Sequence, residues 1–214
     1  MNIITFLRQS GEAFFHAVLR YYLRGSMSVL DVGSGTDSAL QYVSVPYKEG
    51  IDVYRKSVLI SKKKKIHNAY TVGDIRKLHT YYKPKSFDAA ISIDVIEHLT
   101  PKEGVQLIKN MERVAKETVI LLTPNGFYHQ DELEGNPYQV HKSGWRSSDF
   151  RKLGYTVYGL RGLQMLRNDH AGIKYKPWFF WGVVSAISEV LFFAFPDVCF
   201  DLFAVKKLDK PKKI

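Results

Sequence analysis

The run VLDVGSGTD, residues 29–37, sets an acidic side chain, Asp31, just ahead of two alternating glycines, Gly33 and Gly35. Glycine has no Cβ, so such a turn is tight and a ligand can lie against its backbone. Asp52 follows at ~20 residues, the spacing at which a carboxylate past a glycine turn accepts a pair of ribose hydroxyls. Asp74, in GDIR, and Asp94, in SIDVIEHL, continue the series. Any one aspartate serves as a helix cap. Four of them, each closing an apolar run, point instead to one rim that binds a polar ligand.

Asp94-Val95-Ile96-Glu97-His98 forms a second cluster. If the segment makes one helical turn, Asp94, Glu97 and His98 project together, and carboxylate plus imidazole ligands suit Mg²⁺, Mn²⁺ or Zn²⁺. The plainer reading is that Glu97 and His98 open a helix. His98 and His141 are also the candidate bases, because neutral imidazole accepts a proton near pH 7. Residues 125–148 are too long for a routine connection. Their His129, Gln130, Asn136, Tyr138, Gln139, His141 and Trp145 suit recognition of a polar small molecule.

These residues need strands to place them. SVLDV (28–32), GIDVY (50–54), residues 69–72, FDAAISI (87–93) and TVILL (118–122) read as strands. PKEGVQLIKNMERVAK (101–116) reads as a helix with proline at its start. The glycine turn leads into a further helix that Asp37 is placed to cap. Residues 149–153 look helical, and 155–159 and 200–206 look like strand. Near-continuous apolar strands alternating with helices imply a mostly parallel sheet covered on both faces. Residues 2–24 form an amphipathic helix, with Ile3, Phe6, Leu7, Phe14, Val18, Leu19 and Tyr22 on its apolar side and Gly25 as its stop. Residues 178–205 read as a buried helix followed by a strand. The lysine run 62–65 reads as a solvated helix end.

With 45% hydrophobic and 24% charged residues in 214, extended disorder and fibrous repeats are excluded. One cysteine excludes an internal disulfide framework. No apolar core with a cleavage site marks a secretory signal, and the longest charge-free run is too short to span a bilayer. A cytoplasmic protein is expected. Lys+Arg 31 against Asp+Glu 21 gives +10, which favours anionic partners without fixing the fold. The expected division is an N-terminal helix (1–25) on the core, one domain (26–207) with the 125–148 insertion, and a basic tail (208–214).

The motif at 29–37, with Asp52, Asp74 and Asp94, resembles class I S-adenosylmethionine-dependent methyltransferases, and the likeness covers about residues 28–160. Residues 123–162 resemble bacterial and archaeal methyltransferases of mostly unassigned substrate. The resemblance implies an α/β, Rossmann-like doubly wound sheet of seven strands, mostly parallel, with helices on both faces and an antiparallel last strand. It implies a donor, S-adenosylmethionine, held by Asp31, Gly33, Gly35, Asp52, Val53, Asp74, Ile75, Asp94 and Val95, with Asp74 at the adenine amino group. Asp37 stands where the family's third glycine falls. A carboxylate before the turn suits a cationic sulfonium and repels pyrophosphate, which sets a dinucleotide oxidoreductase aside. The Glu97-His98 run, with His141 after Thr123-Pro124-Asn125, resembles metal-dependent O-methyltransferases of small-RNA 3′ ends and of ubiquinone precursors. That likeness implies an ion on Asp94, Glu97, His98 and His141. The leading expectation is methyl transfer to a small molecule, with oxygen favoured. The alternatives are an RNA methyltransferase, drawn from the +10 charge, and a non-enzymatic protein docked on an anionic membrane surface.

Overall fold

The computed structural model describes residues 3–133 and 135–209, with side chains from residue 12 onward. The strands are β1 (Ser28–Val32), β2 (Tyr47–Asp52), β3 (Ala69–Val72), β4 (Phe87–Ile93), β5 (Ala115–Pro124), β6 (Thr156–Leu163) and β7 (Cys199–Lys207). They form one sheet in the order β3-β2-β1-β4-β5-β7-β6. β1 to β5 pair in parallel, and β7 runs antiparallel to both β5 and β6. The direction of winding reverses between β1 and β4, the place where open α/β sheets bind ligands beyond the strands' carboxyl ends.

Alternation along the central strands divides the core in two. Leu30, Val32, Ala90, Val119 and Leu121 pack on one face with Leu107, Ile108 and Met111 of helix α4 (Pro101–Val114). Val29, Ala89, Ile91, Ile120 and Leu122 pack on the other with Leu19 of helix α1 (Ile3–Tyr22), Leu40 and Phe203. α4 starts where its sequence says it should. Pro101 needs no backbone donor at the first helical position, and Thr100 and Glu103 close a reciprocal capping box. Gly25 ends the first helical segment with φ +83°. Of the apolar positions expected on α1, the side chains of Ile3, Phe6 and Leu7 lie outside the described residues, as do residues 210–214 of the basic tail.

Three expectations are corrected. No full helix follows the glycine turn. Residues 33–46 must turn and cross the sheet face, which leaves room for a single 3₁₀ turn, Ala39–Tyr42, and Ser38 rather than Asp37 caps it. β2 starts at Tyr47, where pairing with Ser28 begins, and ends at Asp52, whose carboxylate accepts the Tyr54 N–H. Helix α6 (Trp178–Leu191) is not buried: Phe179, Phe180, Val183, Ile187, Val190 and Leu191 are exposed. Its main packing partners are β6 and α1 at the sheet edge, and among the described residues one face is left exposed. The lysines 62–64 do form the last, exposed turn of helix α2 (Arg55–Lys64). The remaining helices are the short α3 (Leu78–Tyr81) and α5 (Ser147–Lys152). No helix of the described residues is long and apolar enough to cross a membrane.

Candidate active site

Beyond the carboxyl ends of β1, β2 and β4 lies a crevice of about 470 Å³, and all nine residues expected to hold the donor line it. The volume lies within the range of ligand pockets, roughly 300–1,000 Å³. Gly33, at φ +78°, and Ser34 donate their N–H groups to the Ile51 carbonyl at 2.8 and 3.1 Å. A Cβ on Gly33 would stand 2.5 Å from Val95 Cγ2, whereas one on Gly35 would meet nothing within 4 Å. The first glycine is thus required by packing within the chain. The second, at φ +56°, opens its backbone to the crevice. Gly35 donates its N–H to Asp52 Oδ2 at 2.9 Å, which ties the glycine turn to the end of β2. Burial raises the Asp52 pKa, and the Asp31 charge adds to it.

The other carboxylates are already engaged, in ways the sequence did not disclose. Asp31 lies within the fold, 2.9 Å from His67 Nε2 and bonded by the Ser38 hydroxyl. His67 is the residue sequence reasoning missed here, and no motif marks it. Asp74 accepts from Arg76 Nε and Nη2 at 2.9 and 2.8 Å, and that guanidinium holds it below the usual carboxylate range. Asp94 has a left-handed backbone, φ +52°, and donates its N–H to the Leu122 carbonyl at 2.9 Å. Its carboxylate turns towards Arg161 Nη2, 3.5 Å away.

That turn separates Asp94 from the cluster proposed for it. Ile96–His98 is a 3₁₀ turn, and Asp94, which precedes it with a left-handed backbone, is not among the converging ligand groups. The groups that do converge are Glu97, His98 and His141, with ligand atoms all within 4.8 Å of one another. Glu97 is buried and accepts from the Thr123 hydroxyl at 2.9 Å. Burial, then the Asp94 charge, raises its pKa well above the ordinary value. His141 Nδ1 lies 2.7 Å from the Tyr128 carbonyl, and His98 Nδ1 lies 3.3 Å from the Val140 carbonyl. A carbonyl only accepts, so Nδ1 carries the proton in each bond, and Nε2 keeps its lone pair in the neutral ring. Burial, helped by the His141 charge, lowers the His98 pKa to about 4. This donor set is chemically fit for a divalent ion, each imidazole being oriented through its other nitrogen.

The 125–148 segment divides by role. Lys142 and Ser143 donate their N–H groups to the Glu97 carbonyl at 2.8 and 3.0 Å, which places His141 beside His98. Asn136, Tyr138, Gln139 and Lys142 line the crevice. Trp145 is buried against Phe150, with Nε1 donating to the Ser143 hydroxyl. His129 points outward and pairs with Asp131.

A second cavity, about 570 Å³, lies between β5, β6, β7 and α6. Its floor holds Arg161 and the fully buried Asp201, with Arg161 Nε 2.9 Å from Asp201 Oδ2. That is ion-pair distance, yet the angles are wrong for a hydrogen bond, so both Asp201 oxygens lack a donor. Burial pushes the Asp201 pKa up to about 7, against the pull of Arg161. A bulge creates this arrangement. The β6–β7 register slips between Leu160 and Leu163, which breaks the alternation of faces and aims Arg161 at β7. Gly162 permits it, since a Cβ there would strike the Ser185 carbonyl at 2.4 Å. The sequence signal was Asp201 itself, a lone carboxylate inside CFDLFAV.

Residues 30–123 match the family model of a methyltransferase domain. No curated protein matches the chain. Among solved structures, the fold is similar to an S-adenosylmethionine-dependent methyltransferase from Archaeoglobus fulgidus, with TM-score 0.57, 17% identity, and 92% of this chain and 94% of that chain covered. It is also similar to magnesium protoporphyrin IX methyltransferase from Synechocystis PCC 6803, with TM-score 0.52, 16% identity and 95% and 81% covered. A third is a complex of the Haloferax volcanii Trm112 methyltransferase activator and a methyltransferase, with TM-score 0.59, 14% identity and 98% and 96% covered. The matched segment supplies β1 to β5, and with them the whole carboxylate rim. Residues 30–123 thus carry a methyltransferase domain, and the chain has the fold of S-adenosylmethionine-dependent methyltransferases.

Proposed function

We propose that this chain is an S-adenosylmethionine-dependent methyltransferase acting on an oxygen of a small molecule, and that the rim crevice is where it binds the donor. The single observation behind the donor assignment is the convergence of Asp31, Asp52, Asp74 and Asp94 with the Gly33–Gly35 turn on one crevice. Asp52 accepts the ribose hydroxyls while its oxygens keep their bonds to the Gly35 and Tyr54 N–H groups. Asp74 faces the adenine end, and Val53, Ile75 and Val95 give it apolar walls. Asp31 sets the negative field beneath the glycine turn. Bound there, S-adenosylmethionine supplies a methyl group already activated on a positive sulfur.

The chain therefore has to align, to exclude water and to take a proton, and alignment alone can supply much of the barrier reduction. His98 lines the crevice and His141 lies beside it, their ring centres 4.8 Å apart, and an imidazole Nε2 is suited to accept the proton of a hydroxyl. Glu97, His98 and His141 would hold a divalent ion, which would lower the pKa of a hydroxyl acceptor. Calorimetry with S-adenosylmethionine tests the donor site. Asp52→Ala is expected to weaken binding by about a hundredfold or more, since a buried bidentate partner is lost. Unchanged affinity in a folded Asp52→Ala protein would contradict the assignment.

A further inference from the structure

The cavity over Arg161 and Asp201 is not part of the donor crevice, yet the two adjoin. Asp94 lines the crevice, and its carboxylate reaches Arg161, which lines the cavity. Leu122, a cavity wall, accepts the Asp94 N–H. Phe15, Leu160, Ile173 and Trp178 give the cavity an apolar side, while Glu12, Arg167, His170 and Glu189 add polar groups to its walls. At the floor, the wholly buried Asp201 is paired with Arg161 at 2.9 Å, and the partly exposed Arg161 is the member of the pair nearer the open cavity.

α6 forms one side. At ~100° per residue, Trp178, Gly182, Ala186 and Glu189 fall on one arc, and all line the cavity. Phe179, Val183, Ile187 and Val190 fall on the arc away from it, all exposed, with Phe180 and Leu191 at its margin. The helix carries one charge, Glu189, which is buried and accepts the Arg161 N–H at 2.8 Å. The outward arc is therefore wholly apolar, and Phe195 and Val198 extend it. A contiguous apolar face of this kind marks an interaction site. Trp178 belongs to both surfaces, being a cavity wall and half exposed, so the cavity mouth opens beside the apolar face.

We infer that the outward face of α6 seats the enzyme on an anionic lipid surface, and that the Arg161–Asp201 cavity takes an apolar-bodied, hydroxylated acceptor from that surface. Charge selects lipid over a second copy of the chain. The protein carries +10, Lys174 and Lys176 directly precede α6, and Lys176 Nζ lies 5.1 Å from the centre of the Trp178 ring. The nearby acid Asp197 is paired with Arg151 at 3.6 Å. Like-charged copies repel, whereas an anionic leaflet attracts basic residues beside an inserted apolar helix. The acceptor's apolar body would lie along the apolar side of the cavity, with its polar end at Arg161 and directed past Asp94 to the donor crevice. This rests on the donor site proposed above.

The test is cosedimentation with phosphatidylcholine vesicles, with and without phosphatidylglycerol as about one lipid in three. The wild-type chain is expected to partition about tenfold or more better onto the anionic vesicles, and less so as salt rises. The double variant Phe179→Ser/Ile187→Ser should lose that partition, while S-adenosylhomocysteine binding, followed by calorimetry, stays unchanged. In a second arm, 4-octylphenol should bind the wild-type chain, and Ala186→Phe, which fills the cavity, should abolish this without altering vesicle partition. Equal partition of the wild-type chain onto both vesicle types overturns the inference, and so does a stable dimer that ignores vesicles. Failure of octylphenol to bind overturns the cavity assignment. Loss of S-adenosylhomocysteine binding by the wild-type chain would instead sink the donor site.

Discussion

Asp94 and Arg161 meet at 3.5 Å, and both hold left-handed backbones, φ +52° and +59°. Neither is glycine, so each conformation costs about 1–2 kcal/mol. Local causes hold both in place: the Asp94 N–H on Leu122, and the Arg161 N–H on Glu189. At this contact the donor crevice and the second cavity touch through charged side chains, and Arg161 there faces two carboxylates, Asp94 and the buried Asp201.

Removing the cation should therefore cost more than removing the group. Arg161→Met leaves the buried Asp201 without its paired cation, with Arg167 as the remaining positive charge acting on it, an effect of up to about 3–5 kcal/mol. Adding Asp201→Leu should recover most of that loss, because an apolar pair tolerates burial. Urea denaturation of the two variants measures the difference. Equal stability of single and double variants would show that the pair is not coupled.

The two glycines of the turn should separate structural from ligand roles. Gly33→Ala drives a Cβ into Val95 and should destabilise the fold by about 1–3 kcal/mol. Gly35→Ala has free space within the protein, so only the left-handed backbone opposes it, about 1 kcal/mol. Its donor affinity should nonetheless fall sharply, because the new methyl group projects where ligand meets backbone. Thermal melts and calorimetry on the pair read both effects. Normal donor affinity in Gly35→Ala would move the ligand away from this turn.

Two carboxyls should give stability a pH dependence of opposite sign. Glu103 is held down to about 2, first by its bond from the Thr100 hydroxyl and then by Arg76. Its folded pKa lies below the unfolded one, so its contribution is present above pH ~4.5 and lost as pH falls towards 2. The α4 capping box is worth about 1 kcal/mol, so Glu103→Gln should cost that much at pH 7 and nothing at pH 2. Asp201 is pushed up to about 7 by burial. Its folded pKa lies above the unfolded one, so stability is fullest below pH ~4 and declines as pH rises to about 7. Asp201→Asn should flatten that decline. Chemical denaturation across this range checks both slopes.

Most of the fold was legible because its signals are local. β4 reads off as an apolar run with the bounds that the structure shows, the end of β3 falls at Val72 as expected, and Pro101 marked the start of α4. The aspartate rim followed from strand ends alone. What stayed hidden depends on contacts between distant segments. Nothing near Asp31 in sequence announces His67, and only the bulge at Arg161 and Gly162 brings that arginine to Asp201. The composition of residues 178–191 reads as a core helix. Whether such a helix is covered is decided by its place at the sheet edge, which no periodicity encodes. Asp94 left its expected cluster for the same reason: one left-handed residue redirected its side chain.

The convergence of Glu97, His98 and His141 makes a prediction that needs no acceptor. Manganese added to chelator-treated protein should bind with a stoichiometry near one. His141→Ala should weaken it by at least about tenfold, since loss of even an outer-shell partner costs ~10–100-fold. Asp94→Asn should weaken it much less, because Asp94 faces Arg161 and not the imidazoles. The described hydrogen bond of the His141 side chain is the one from Nδ1 to the Tyr128 carbonyl, and its backbone bond to the Gln130 carbonyl survives substitution, so the alanine variant should fold and bind donor normally. Competition between manganese and zinc, whose affinity for imidazole is higher, would report the nitrogen content of the site. Absence of manganese uptake by the wild-type protein would remove the ion and leave His98 and His141 as unaided proton acceptors.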